Sequence, residues 1–172
     1  MARLAETTVD SDKAAARAML VQAQADATDA LENLRDLARG IYPPLLAERG
    51  LAAALKAQAR RSPIPVTVEA DGLGRYPQEA EAAVYFCALE ALQNTAKYAG
   101  ASRATISLSC SGDRLRFTVT DDGAGFDTAS TGHGTGLQGM ADRLDALGGA
   151  FDVRSRPGQG TTVSGQLPVF AP

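Results

Sequence analysis

The chain has 172 residues, 45% of them hydrophobic and 22% charged, and this normal globular balance excludes wholesale disorder. A formal net charge of −3 argues against a nucleic-acid binder, because such proteins usually present a basic face. The two cysteines, Cys87 and Cys110, and the single histidine, His133, do not cluster in sequence, which argues against a disulfide framework or a zinc site and fits a reducing cytoplasm.

The first part of the chain has a helical composition. Residues 12–42 are predicted to form one long helix, which Pro43-Pro44 stops because proline disfavours helix at and before its own position. A shorter helix is predicted over 51–61, and a linker over 62–65. The long helix carries a heptad-like apolar seam, which predicts self-association with a further helix; its members are Ala27, Leu31, Leu34, Ala38 and Ile41.

Strand-like alternation and most of the glycines lie beyond residue 62, so two domains are predicted, 1–62 and 63–172. In chain order the patterns predict a strand over 65–70, a helix over 77–99 and strands over 104–110 and 115–119 with a turn between them. A helix over 136–147, a strand at 151–153 and a last strand over 161–167 follow. This order predicts an α+β fold with a mostly antiparallel sheet and helices on one face.

The helix predicted over 77–99 carries three polar side chains on one stripe. Glu90, Asn94 and Lys97 lie at i, i+4 and i+7. An Asn oxygen can ligate Mg²⁺, a Glu can orient or deprotonate a nucleophile, and a Lys can offset phosphate charge. On spacing alone, a solvated helix face with an ion pair explains the pattern better.

Two glycine-rich segments follow. Residues 121–126 (Asp-Asp-Gly-Ala-Gly-Phe) come directly after a strand, where the glycines allow close backbone approach and a buried Asp can accept from an exocyclic amine such as that of adenine. Residues 132–140 lead from a glycine-rich loop into a helix, whose first N–H groups can bind phosphate. Taken singly, the first is also ordinary turn chemistry and the second also a flexible loop. His133 lies in that loop and is interpreted as a bystander.

In this order, Glu-x-x-x-Asn on a helix, Asp-x-Gly-x-Gly after a strand and Gly-x-Gly-Leu at a helix start resemble the GHKL ATP-binding family. Together with segments 143–149, 158–161 and 167–168, they look like the catalytic domain of a bacterial sensor histidine kinase. The short lid and segments 34–45 and 50–55 resemble the nitrate-sensor-like subfamily and its second dimerisation helix. The resemblance covers roughly residues 12–168 and implies a two-layer α/β sandwich preceded by a long helix.

The resemblance also implies a role for each matched residue. Glu90 would be the catalytic carboxylate, Asn94 the Mg²⁺ ligand and Lys97 a phosphate contact. Asp121 would receive the adenine amino group, with Thr161 near it. The other matched residues would shape the pocket and lid: Gly123, Gly125, Gly134, Gly136 and Leu137. ATP and Mg²⁺ are the implied cofactors.

The chain departs from the family pattern at two points. Tyr98 stands where the family usually has histidine, and the phosphoacceptor histidine of the first dimerisation helix is missing. The chain is therefore expected to be a truncated or naturally partial kinase that donates the ATP γ-phosphoryl to a histidine on another segment, without autophosphorylation. Two alternatives stay open: a non-catalytic nucleotide-binding switch or docking module, and an anti-sigma-type serine kinase.

The expected partners follow from the same resemblance. They are ATP, the phosphoacceptor helix of the same or a partner kinase, and a response regulator, without nucleic acid; the full-length protein is expected to be a homodimer. No apolar run is long enough to cross a bilayer and the N-terminus lacks a signal-peptide pattern, so the module is expected to be cytoplasmic.

Overall fold

The structure is a computed structural model that describes residues 43–70, 72–128 and 135–169. The chain divides into two compact units, Met1–Ile41 and Tyr42–Pro172, and every described residue belongs to the second. The long helix predicted over 12–42 and its apolar seam lie outside the described residues, as do His133 and Gly134.

The described part of the second unit alternates helices with strands. The helices are α1, Pro44–Ala59, α2, Gln78–Asn94, and α3, Thr135–Asp145; a π-helical turn, Thr95–Ala99, continues α2. The strands are β1, Val66–Glu69, β2, Ala104–Ser111, β3, Arg114–Asp121, β4, Ala150–Ser155, and β5, Thr161–Pro168. Every strand lies where the sequence predicts one.

The strands form one mixed sheet in the order β1-β2-β3-β5-β4. β1 and β2 are parallel, and the other pairings are antiparallel. On β3, Leu115, Phe117 and Val119 are buried, whereas Arg116 and Thr120 point to the opposite face and are exposed. Helices α2 and α3 pack on the buried face, against β3, β4 and β5. The predicted α+β sandwich with a mostly antiparallel sheet is confirmed.

The core fixes α2 on this sheet. Val84, Cys87 and Ala88 of α2 and Ile106 and Phe117 of the sheet are all buried, with at most 1% of their surface exposed. Full burial of an aliphatic or aromatic side chain stabilises a fold by roughly 1.5–3 kcal/mol. The polar residues of α2 are therefore carried on a firmly packed helix.

Helix α1 begins earlier than the sequence predicts. Pro44 occupies its first turn, where a missing N–H costs nothing, so the two prolines do not exclude a helix at this point. Gly50 has φ 76° and ψ −179°, which divides α1 into pieces 44–49 and 51–59. The helix predicted over 51–61 corresponds to the second piece alone.

Arg75 links the first piece of α1 to helix α2 by hydrogen bonds. Its Nη2 donates to the carbonyl oxygens of Leu46 and Ala47 at 3.4 and 3.0 Å, which lie at the end of that piece where helical carbonyls lack partners. The same guanidinium donates from Nε and Nη2 to the fully buried Glu81 carboxylate at 3.0 and 3.2 Å. Helix α1 thus packs on α2 within the second unit, while the assignment of 1–62 to a dimerisation region stays a prediction.

Helix α2 changes geometry before its predicted end at residue 99. Thr95 Oγ1 lies 3.0 Å from the carbonyl oxygen of Ala91, and a threonine hydroxyl bonded to the i−4 carbonyl distorts a helix. The π turn begins here and is followed by the left-handed Gly100 (φ 56°). A π turn contains more residues than an α-helical turn, so Lys97, which lies within it, is displaced around the axis from the straight polar stripe that the sequence predicts.

Candidate functional site

The C-terminal end of β3 lies between two strands that bring distant residues together. Asp121, the last residue of β3, is paired with Ala104 of β2 and Thr161 of β5. The antiparallel register of β3 and β5 therefore places Thr161 beside Asp121, although 40 positions separate them. The two residues are neighbours as the resemblance implies, and their part in adenine recognition stays a prediction.

Asp121 is held by hydrogen bonds from three directions. Its side chain is buried, and its Oδ1 accepts from the backbone N–H groups of Gly123 at 2.9 Å and Thr161 at 3.3 Å. Its Oδ2 lies 3.2 Å from the hydroxyl of Thr95. An ionised carboxylate offers about four acceptor positions, so this arrangement fixes its orientation and leaves capacity for a donor on a ligand.

Thr95 is a site residue that the motif analysis did not single out. It is buried in the π turn directly after Asn94, and its hydroxyl bridges the α2 backbone and Asp121. The sequence did contain a signal, because Thr95 ends the otherwise apolar, sheet-facing stripe of α2. A hydroxyl at the end of such a stripe needs a buried partner.

Two glycines in the loop after Asp121 pack closely against backbone atoms of neighbouring segments. A Cβ at Gly123 would collide with the carbonyl oxygen of Ala99 in the π turn. Gly125 has φ 61°, and a Cβ there would collide with the carbonyl oxygen of Arg156 in the β4–β5 turn. Both predicted glycines are therefore required by close backbone approach within the protein itself.

Ser155 ties the same loop to the sheet. Its hydroxyl accepts from the N–H of Phe126 at 2.9 Å, and it lies 2.9 Å from the Gly160 carbonyl oxygen and 3.0 Å from Thr161 Oγ1. The sequence pattern did not single out this residue, because a serine at the end of a strand is common and signals no particular contact. Its role depends on the β4–β5 pairing, which brings it opposite Thr161.

Asp122 points away from Asp121 and holds the segment before β2. Its carboxylate accepts from the hydroxyl and N–H of Ser102 at 2.6 and 2.8 Å, and from the N–H of Arg103 at 3.0 Å. The hydrogen bonds from Ser102 and then Arg103 lower the pKa of Asp122 to about 2. The second aspartate of the motif is thus a structural anchor.

Glu90 and Asn94 of α2 meet the first turn of α3. Both side chains are half-buried. A Cβ at Gly136 would collide with Glu90 Oε1 and would lie 3.7 Å from Asn94 Nδ2. The structure therefore brings together three of the predicted residues, and Leu137 packs beside them against the core. Lys97 and Tyr98 are exposed on the π turn, and their predicted part in phosphate contact stays a prediction.

The surroundings of Glu90 favour its protonated form more than water does. Burial raises the pKa of the Glu90 carboxyl, and the positive charge of Arg143 on α3 partly opposes that rise. A carboxylate of raised pKa is a better proton acceptor, which is the property that a general base needs.

Asn94 has the chemistry of a Mg²⁺ ligand. Mg²⁺ prefers oxygen donors and usually keeps several waters, taking one or two protein ligands together with substrate phosphates. Within ranges 43–70, 72–128 and 135–169, no three His, Cys, Asp or Glu residues are grouped so as to hold a metal ion by themselves. The residues present fit a metal that arrives with a nucleotide better than a resident ion.

Comparison with known proteins identifies the family. The model for histidine kinase-, DNA gyrase B- and HSP90-like ATPases matches residues 79–170, more than half of the chain. The chain belongs to this family of ATP-binding domains. In the described segments no helix is long and apolar enough to span a membrane.

The more similar relatives are sensor kinases. The sensor histidine kinase MctS of Rhizobium johnstonii is 34% identical over 83% of this chain and 32% of its own length. The histidine-protein kinase/phosphatase DegS of Brevibacillus brevis is 34% identical over 55% of this chain and 25% of its own. The blue-light activated histidine kinase of Erythrobacter litoralis EL346 superposes with a TM-score of 0.61 at 28% identity, covering 69% of this chain and 42% of that structure. This chain therefore spans a third or less of the length of these two curated relatives.

Proposed function

We propose that this chain is the ATP-binding, phosphoryl-donating module of a sensor histidine kinase in two-component signalling. The observation that carries the proposal is the hydrogen-bonded link between the two halves of the site. Thr95 follows Asn94 directly and its hydroxyl lies 3.2 Å from Asp121 Oδ2, so the adenine-accepting carboxylate is hydrogen-bonded to the residue next to the metal-ligating amide. The family and the sensor-kinase relatives support the same assignment.

Each residue then has a definite task. Asp121 accepts a hydrogen bond from the adenine amine, and Asn94 supplies an amide oxygen to Mg²⁺. When bound, Mg²⁺ offsets the negative charge on the phosphate oxygens. Glu90 accepts the proton that the attacking imidazole loses as its nitrogen bonds to the γ-phosphorus and ADP leaves. The rate comes mainly from positioning and charge neutralisation.

The remaining partners belong to the whole protein. The acceptor histidine lies on a helix of the same or a partner kinase, a response regulator receives the phosphoryl group, and the full-length kinase acts as a homodimer. The module itself works in the cytoplasm. The net charge of −3 argues against nucleic acid as a partner.

The first test is calorimetric titration with a non-hydrolysable ATP analogue, with and without Mg²⁺, followed by transfer from ATP to a separately supplied acceptor helix. Saturable binding and an acid-labile phosphohistidine are expected. Asn94→Ala should abolish the phosphohistidine, whereas Gln93→Ala, an exposed neighbour on α2, should retain it.

The other outcomes separate the alternatives. Nucleotide binding without phosphotransfer to any acceptor would refute the kinase proposal and favour a non-catalytic nucleotide switch. An acid-stable phosphate on serine would instead indicate an anti-sigma-type kinase. Absence of binding would refute the nucleotide site itself.

A further inference from the structure

Three polar side chains lie in a row across the ends of β3, β5 and β4. The strand register pairs Asp121 with Thr161, and Thr161 with Ser155. Side chains at directly paired positions point to the same face of a sheet, and Asp121 is buried on the face that the helices cover. The hydroxyls of Thr161 and Ser155 therefore continue the line that begins at the Asp121 carboxylate.

The single hydrogen of the Ser155 hydroxyl is already committed. A serine hydroxyl has one hydrogen to donate and two positions at which it can accept. Ser155 Oγ accepts from the backbone N–H of Phe126 at 2.9 Å. It also lies 2.9 Å from the carbonyl oxygen of Gly160, which can only accept, so Ser155 donates its hydrogen there. One accepting position on Ser155 Oγ is then left.

That remaining position determines the direction of the bond between the two hydroxyls. Thr161 Oγ1 and Ser155 Oγ are 3.0 Å apart, and the distance alone allows either one to donate. Because Ser155 has donated its hydrogen to Gly160, Thr161 must be the donor to Ser155. The Thr161 hydrogen is therefore directed towards β4, on the side of β5 opposite to Asp121. Towards a ligand, the Thr161 oxygen offers only accepting positions.

The row thus presents hydrogen-bond acceptors alone, because an ionised Asp121 carboxylate has no hydrogen to donate either. An amine has two hydrogens for two neighbouring acceptors, whereas a carbonyl oxygen in the same place would face only lone pairs. We propose that Ser155 is a positioning residue that fixes the Thr161 hydroxyl as an acceptor, so that the site selects a base with an exocyclic amine over one with a carbonyl oxygen. The inference rests on the proposed nucleotide-binding function and deepens it.

Nucleoside diphosphates measure this selectivity without any phosphotransfer. ADP carries the amine, and inosine diphosphate (IDP) carries a carbonyl oxygen at the same ring position. Calorimetric titration of the whole chain with each diphosphate and Mg²⁺ gives two Kd values, and their ratio is the preference for ADP. The wild type should prefer ADP by at least about tenfold, because a buried polar group that loses its partner is costly.

Ser155→Ala should lower the preference for ADP by about threefold to tenfold. Without the serine, the Thr161 hydroxyl can turn and donate to the carbonyl oxygen of IDP, which gains one hydrogen bond, while ADP keeps its contacts. In a Thr161→Val background, Ser155→Ala should leave the preference unchanged. The hydrogen on the ring nitrogen of IDP is common to all these comparisons and cancels from them.

Two variants serve as controls for the loss of the hydroxyl. Ser155→Thr keeps a hydroxyl at this position and should keep the preference for ADP. Ser164→Ala removes a hydroxyl from the opposite face of β5, where it lies 3.4 Å from the carbonyl oxygen of Asp152, and should also leave the preference unchanged.

Thermal unfolding without ligand separates selectivity from folding. Ser155→Ala should lower Tm, because the N–H of Phe126 loses its partner, and a purely structural residue would weaken ADP and IDP binding alike. Ser155→Cys has a similar size but forms only weak hydrogen bonds, so it should shift the preference in the same direction by a smaller factor. This variant decides the question if the alanine variant does not fold.

The outcomes distinguish this inference from the proposed function. A wild type that binds neither diphosphate refutes the nucleotide site and this inference with it. A wild type that binds IDP as tightly as ADP refutes the selectivity and leaves the nucleotide site in place. A preference for ADP that Ser155→Ala and Ser155→Cys leave unchanged refutes the role of Ser155 alone.

Discussion

Asp121→Asn should weaken nucleotide binding far more than it destabilises the free protein. Oδ1 of Asp121 accepts from two backbone N–H groups, so the carbonyl oxygen of an asparagine must take that position. The new amide NH₂ then replaces Oδ2, where the Thr95 hydroxyl can accept from it. The substitution therefore preserves the hydrogen bonds of the free protein and changes an acceptor into a donor where the adenine amine is proposed to bind.

The magnitudes differ accordingly. In the free protein, the substitution weakens the hydrogen bonds, because they no longer involve a charged group, but it also removes a buried charge. The net loss of stability is about 1 kcal/mol, which lowers Tm by roughly 3–5 °C. In the complex, a hydrogen bond to a charged group is lost and two donors face each other. That loss is about 1.5–3 kcal/mol or more, which raises Kd by at least about tenfold.

Calorimetric titration with an ATP analogue and thermal unfolding without ligand measure the two quantities. Asp122→Asn is the matched control, because its carboxylate faces Ser102 and Arg103; it should lose stability and keep binding. If Asp121→Asn destabilised the free protein as much as it weakened binding, Asp121 would be a structural residue and the reasoning would be refuted.

Three further predictions concern single groups. Gly125→Ala should destabilise the protein by about 2–4 kcal/mol in thermal unfolding, because φ is 61° and a Cβ has no room; Gly112→Ala, with φ 60° and open space, should cost only about 1 kcal/mol. The lowered pKa of Asp122, about 2 against an ordinary value near 3.8, makes its stabilisation complete above pH 3.8 and progressively lost as pH falls towards 2. The Tm difference between wild type and Asp122→Asn should therefore shrink across that window. Since burial raises the pKa of Cys87 to about 11 while Cys110 is exposed, a thiol reagent at pH 8 should titrate one thiol in the folded protein and two after denaturation.

Each of these has a contrary result. Equal losses in the two glycine variants would show that the backbone approach at Gly125 does not limit side-chain size. A Tm difference for Asp122→Asn that is constant with pH would mean that its carboxylate is not preferentially ionised in the folded state. Two reactive thiols in the folded protein would indicate that α3 separates readily from α2.

The sequence predicted the fold well because its signals are local. Alternating apolar residues marked the strands, and helical periodicity marked α2 and α3, since both patterns arise from burial of one face. The errors lie where a local rule had two outcomes. Pro44 can stop a helix or begin one, and Thr95 can continue an α-helix or open a π turn through its hydroxyl.

The site was predictable only in part, because its geometry is non-local. The motifs singled out Glu90, Asn94 and Asp121 as candidates, whereas the neighbouring position of Thr161 came from family resemblance. Ser155 was missed because its contacts depend on which strands pair, a property that no single segment encodes.

The closely packed glycines also limit which residues of the site can change during evolution. Gly125 and Gly160 face backbone oxygen atoms of their own fold, so the protein rejects a side chain there whether or not it has a ligand. The fold does not require Glu90 and Asn94 in the same way, because other polar side chains of similar size would fill their half-buried positions. A descendant that abandoned its nucleotide would keep the glycine signature and change residues 90 and 94 first. If Glu90 and Asn94 have the roles proposed above, the glycines record ancestry and the two polar side chains record present activity.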